Sequence, residues 1–168
     1  MKIIKFAFLF YFGLMTNISN AADEIWKLHT VDDIQVARTV NNTGSIVGVL
    51  CNTSEDGCVA YIAINSTCDV GESYPMMVNS SVGAIPLVAT CTIWGKSKYL
   101  VFDDFEGVIL AFETGGEIGF AMPMASGQFR VIRFSTIGAI KAIAKARARP
   151  KNKTTNKTTN KDLSDQSI

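Results

Sequence analysis

Short apolar runs recur along this chain, and each ends in a cluster of Gly, Asn, Asp or Ser. The runs are IWKLHTV (25–31), SIVGVLC (45–51), CVAYIAI (58–64), YPMMV (74–78), IPLVATCTIW (85–94), YLVFDD (99–104), VILAFET (108–114), EIGFAMP (117–123) and FRVIRF (129–134). Between them lie NNTG, NTSEDG, NSTCDVGES, NSSVG, GKSK, DFEG, TGG and ASG, built of residues that accept positive φ or close turns on their own side chains. Strand-length runs at intervals of about 8–12 residues with such punctuation predict an all-β fold, an antiparallel sandwich or barrel. DFEG and ETGGE are the strongest hairpin signals, which makes 108–114 a strand; no strand is expected between Val31 and Ser45. Most runs, VILAF and IGFAM among them, are apolar at consecutive positions. Central strands covered on both faces would read this way, and so would a surface that meets a partner.

The pattern changes at Ser135. STIGAIKAIAKARAR has the spacing of a helix over 135–149, with Ser135 or Thr136 as its cap and Pro150 as its stop. Ile137, Ile140 and Ala144 form one stripe, the one expected to be apolar; Lys141, Lys145 and Arg149 form another. Beyond it, 150–168 contains the repeat NKTTNKTTNK, has no apolar periodicity, and is expected to be a disordered basic tail. The β domain then spans 22–134.

At the other end, Lys2 and Lys5 precede an apolar run from Phe6 to Met15, followed by Ser19 and Ala21. This is the layout of a secretory signal peptide over 1–21. The run is ten residues, and a spanning helix needs about 20. A periplasmic or secreted protein follows, and the short lysine-led signal suits a bacterial one. The formal charge of +1 conceals a separation. Residues 22–140 hold six basic and thirteen acidic side chains, a balance of −7, whereas 141–161 hold eight basic ones and no acid. The chain is an acidic body with a basic end, which bears on its partners rather than on its fold.

The four cysteines are spaced C-x6-C-x9-C-x22-C. Zinc sites pair cysteines more closely or recruit histidines, and this chain has a single His, His29. A dithiol redox centre would show C-x-x-C. An even count in an exported chain favours disulfides. Three connectivities exist for four cysteines; Cys51–Cys58 across the NTSEDG turn and Cys68–Cys91 are the expected pair.

Asp103, Asp104 and Glu106 cluster in FDDFEG. Paired carboxylates can hydrolyse glycosides and oxygen-rich turns can bind calcium, but a solvated turn has the same composition. No GxSxG, GxGxxG before a helix, or P-loop is present, so no catalytic residue, metal site or cofactor is assigned. N-x-S/T sequons at Asn41, Asn52, Asn65, Asn79, Asn152 and Asn156 mark polar loops, and glycan acceptors if the chain passes through a eukaryotic secretory route. The basic segment offers Lys141, Lys145, Arg147, Arg149 and Lys151 to an anionic envelope surface or nucleic acid. It lacks interleaved aromatics, so base stacking is not indicated, and without Trp or Phe the helix is not built for deep membrane insertion.

The closing segment FRVIRFSTIGAIKAIAKA resembles the strand and helix start that end the invasion-associated locus B family of exported bacterial proteins. It departs at Ala139, where that family carries an aromatic residue. The resemblance implies an exported, disulfide-stapled, non-enzymatic chain in which Cys51 and Cys58 correspond to the family's first cysteine pair. The functional expectation is a β domain that binds a protein partner, as an inhibitor, immunity or exclusion factor, or envelope accessory or virulence factor. Its alternatives are a binder of anionic surfaces through 141–161 and a hydrolase using Asp103, Asp104 or Glu106.

Overall fold

The structure, a computed structural model, describes residues 25–148 apart from 55–56, 66–67, 82 and 125. The expected signal peptide and basic tail lie outside the described residues. Nine antiparallel strands form one sheet: β1 (Lys27–Val31), β2 (Ile34–Val40), β3 (Ile46–Asn52), β4 (Gly57–Ala63), β5 (Ser73–Ser80), β6 (Gly83–Trp94), β7 (Ser97–Phe102), β8 (Glu117–Pro123) and β9 (Phe129–Ser135). Helix α1 (Phe105–Glu113) separates β7 from β8, and α2 (Ala139–Arg147) follows β9. The strand order is β1-β2-β3-β4-β7-β6-β5-β8-β9. A four-stranded meander thus joins a three-stranded one at β4–β7, and the β8–β9 hairpin adds on beyond β5. Both joints are short: β4 meets β7 at Tyr61↔Val101 and Ile62↔Leu100, and β5 meets β8 from Met77 to Asn79.

Side chains alternate across each strand. One face, here called inner, carries Val47, Val49, Ala60, Ile62, Val78, Leu87, Ala89, Leu100, Phe102, Ile118, Phe120, Ile132 and Phe134, all buried. Both helices pack on this face, α1 beneath β4, β5 and β6 and α2 beneath β1, β2 and β3. The sheet curls around them until its two ends approach. Trp26 is buried, sets its ring edge-on to Phe112 of α1 with centroids 4.9 Å apart, and donates its indole N–H to the carbonyl of Ser135 at 2.8 Å. Asn41, at the end of β2, donates to the carbonyl of Arg133 at 3.1 Å. Carbonyls on the outer edge of β9 are thereby satisfied from the far end of the chain.

Three elements differ from the expectation, each for a physical reason. The run 108–114 is not a strand but lies mostly in α1. Asp104 caps the helix, its carboxylate accepting from the Gly107 amide at 2.9 Å, and a Cβ on Gly107 would collide with that carboxylate. Val108, Ile109, Ala111 and Phe112 are buried and Leu110 exposed, the one-sided burial of a helix rather than the alternation of a strand. Gly115 and Gly116, both at positive φ, turn the chain into β8, so ETGGE ends a helix and makes no hairpin.

Strand β2 was not expected, because its inward residues are Gln35, Ala37 and Thr39 rather than large apolar ones. The alanines of α2 lie against it, and small inward residues let the helix approach closely. Finally, α2 begins at Ala139 with Gly138 at its N-cap, and neither Ser135 nor Thr136 caps it. Ser135 ends β9, and the Thr136 hydroxyl donates to the Gly116 carbonyl at 3.1 Å. The buried face of α2 is Ala139, Ala142, Ile143 and Ala146, so the expected apolar stripe of Ile137, Ile140 and Ala144 faces solvent instead.

Both disulfides form as expected. Cys51 and Cys58 are directly opposite in the β3–β4 register, Cα atoms 4.1 Å apart, and Cys68 ties the loop before β5 to Cys91 of β6 at 6.0 Å. Loop-closure entropy makes the longer loop the more stabilising staple. For sequence separations of 7 and 23 it gives about 2.5 and about 3.5 kcal/mol. Replacing Cys68 and Cys91 together by Ala is therefore expected to lower the denaturant midpoint more than replacing Cys51 and Cys58, and the reverse order would contradict this. Asp104→Ala should cost about 1 kcal/mol in the same measurement through loss of the α1 cap.

Candidate functional site: the uncovered sheet face

With both helices on the inner face, the outer face of the sheet is left without a second layer among the described residues. Its charged side chains are few. The register aligns Pro86, Met77, Ala121 and Val131 in one row across β6, β5, β8 and β9. A second row holds Val88 beside Pro75 and Pro123 beside Phe129. Phe129 is 61% exposed and Val131 50%. A third row, Ala84, Asn79, Gly119 and Arg133, forms a polar rim. Gly119 keeps it flat, since a Cβ there would meet Val131 Cγ1 at 3.3 Å. Arg133 pairs with Glu117 at 3.2 Å on that rim, an exposed pair that contributes little stability. A depression of about 330 Å³ lies between Met77, Phe129, Val131 and the rim. The result is a broad apolar surface with a polar border.

Over the β4–β7 joint the outer face is closed by its own side chains. Tyr61 stands edge-on to Trp94 and to Tyr99, each with centroids 5.4 Å away. Gly48 opposite Tyr61 leaves the room: a Cβ there would sit 2.7 Å from the Ala37 carbonyl and 3.0 Å from the Tyr61 hydroxyl. Burial pushes the Tyr61 phenol up to about 12, with Arg38 opposing and Tyr99 reinforcing the rise. These aromatics act as a small outer core over the β4–β7 joint.

The carboxylates singled out in the sequence do not converge on a common point. Asp104 is the α1 cap, Asp103 accepts from the Thr90 hydroxyl at 3.4 Å, and Glu106 sits in the first turn of α1. Glu106 lines an open cleft of about 390 Å³ together with the Cys51–Cys58 bridge, Phe105 and Arg147, whose guanidinium lies over the Phe105 ring at 5.6 Å. His29 is exposed on edge strand β1, opposite Val36. No group of three or more His, Cys, Asp or Glu side chains arranged to hold a metal occurs among the described residues. Lys141, Lys145 and Arg147 are exposed on α2, on the opposite side of the sheet from the apolar surface, while Arg149 and Lys151 lie outside the described residues.

Of the sequons, Asn41 and Asn65 donate their side-chain amides to backbone carbonyls, Arg133 and Thr43 respectively. Asn52 accepts from Ser54 in a local turn. The residues that matter most on the apolar surface, Met77, Phe129 and Val131, carried one signal in the sequence: strands apolar on both faces. Comparison with known proteins finds no matching family model, curated relative or solved structure.

The shifted tyrosine gives a direct check on the aromatic cluster. A phenol whose folded-state pKa lies above its ordinary 10.0 contributes stability in full below that pH and loses it as pH rises through about 12. Melting temperature should therefore fall between pH 10 and 12 more steeply in the wild type than in Tyr61→Phe. Equal slopes would show that Tyr61 ionises without hindrance.

Proposed function

We propose that this chain is an exported, disulfide-stapled domain that acts by binding a protein partner on the outer face of β6, β5, β8 and β9. The observation that carries this reading is the aligned apolar surface from Pro86 to Val131, with Phe129 and Val131 half or more exposed and a polar rim at Arg133 and Asn79. Interfaces are built this way, with a desolvated apolar centre inside a polar border. The partner would present an apolar anchor to the depression beside Phe129 and hydrogen-bonding groups to the rim. Two disulfides fit a periplasmic or extracellular setting, and no described helix is long and apolar enough to cross a membrane. The amino-terminal pattern supports export, and the resemblance of β9 and α2 to the end of the invasion-associated locus B family points the same way.

The test places a photo-crosslinking residue at Ala84, on the rim, in cells that express the protein naturally. A discrete protein adduct is expected. Phe129→Asp with Val131→Asp should reduce its yield at least about tenfold, as expected for loss of a central anchor, with the melting temperature unchanged. An adduct of twice the chain's own mass would make the partner a second copy. Equal adducts from a probe at Thr92, outside the surface, would refute the assignment.

A further inference from the structure

Strand β1 is a sheet edge with opposite charges at its two ends. Among the described residues it pairs with β2 alone, and all five of its side chains are exposed. At one end Lys27 stands directly opposite Arg38, a like-charge pair that costs stability as long as no anion joins it. Neither cation has a carboxylate partner among the described residues. At the other end Asp32 and Asp33 form the two-residue turn between Val31 and Ile34. Neither of these carboxylates has a cationic partner among the described residues. Beside the basic end, a depression of about 440 Å³ lies between Ile25, Lys27, His29, Arg38 and Val40. Ile25 and Val40 are exposed there, and so are Val31 and Ile34 on either side of the acidic turn.

We infer that two copies of this chain join edge to edge through β1, antiparallel and two-fold symmetric about His29. This register uses the whole strand. It sets Lys27 beside the second copy's Val31, Leu28 beside its Thr30, and His29 beside its own equivalent. Continued past the strand, it brings the second copy's Asp33 level with Ile25. The acidic turn of each copy then flanks Lys27 of the other, at the mouth of the depression, and Val31 comes against Ile25. The two-fold axis makes this contact twice, so both like-charge pairs gain carboxylates. A foreign strand would need the same order of charges to fit, and this chain already carries it. Backbone groups on the open edge gain partners across the joint. An isologous contact uses the β1 edge of both copies, so it closes as a dimer and does not grow into a fibre. The apolar surface of β6, β5, β8 and β9 lies elsewhere in the strand order, and each copy in the dimer still presents it.

The test uses the whole protein with both disulfides formed. Sedimentation equilibrium is expected to show a reversible dimer. Lys27→Glu should weaken it about tenfold, because the symmetry counts each exposed contact twice. Lys27→Glu with Asp33→Lys should restore it. Both variants should melt like the wild type at dilutions where all are monomers. His29→Cys places a thiol on the axis with facing Cβ atoms about 5 Å apart, so copper-catalysed air oxidation should give a covalent dimer. Val31→Cys holds its two thiols about 13 Å apart and should not. Phe129→Asp with Val131→Asp should leave the dimer intact, which separates this inference from the protein-partner reading. A monomer at every concentration up to about 1 mM overturns the inference. So does a dimer indifferent to Lys27→Glu, a charge exchange that fails to restore it, or cross-linking at position 29 no greater than at 31.

Discussion

The buried indole of Trp26 ties the start of the chain both to α1 and to the end of β9. A sheet of nine strands has two edges, and an apolar inner face of this size must be roofed along its whole width. The two helices supply the roof, but they pack well only if the sheet curls. Trp26 fixes the curl by touching Phe112 of α1 on one side and the end of β9 on the other. Asn41 repeats the connection one carbonyl away. Because these contacts satisfy part of the β9 edge and tie the sheet's ends together, the inner face becomes a closed core and the outer face becomes the molecule's exterior.

That division decides which apolar residues are structural and which are available. Large inner residues such as Phe102, Phe120 and Phe134 interlock with centroid separations of 5.3 and 6.1 Å. On the exterior, the β4–β7 joint is covered by Tyr61, Trp94 and Tyr99, whereas the β5–β8 joint is covered by nothing comparable. Both joints have few paired residues, and only one received an aromatic cover. The uncovered joint lies in the apolar surface proposed to meet a partner, and binding there would shield the bare seam.

Much of the sheet was legible because turn chemistry is local. Asn, Gly and Asp clusters ended nearly every strand where expected, and the Cys51–Cys58 pair followed from a hairpin with six residues between the cysteines. The errors came where burial is set by distant partners. Gln35, Ala37 and Thr39 read as polar or small, yet they face inward because the alanines of α2 approach them. VILAF has the composition of a strand and the termini of a helix, and the Asp104 cap with the glycines at 115 and 116 outweighs β-branched content. On α2 the spacing revealed a helix, but the face that buries is Ala139, Ala142, Ile143 and Ala146 rather than the stripe of Ile137, Ile140 and Ala144, since the sheet accepts small alanines more closely than isoleucines. The apolar outer surface could not be located at all before β5 was known to lie between β6 and β8.

The hydrogen bond from Trp26 to Ser135 spans 109 residues. A chain made from its amino terminus must wait for nearly the whole domain before that bond can form. Until then the β1–β4 meander exists with its inner face unroofed, held in shape by a local bridge between neighbouring strands. Closure is a step of high loop entropy, the kind that slows folding, and until it occurs the half-built sheet is exposed to unwanted pairing. A helper that shields apolar strands in that interval would recognise the same residues that later become the core.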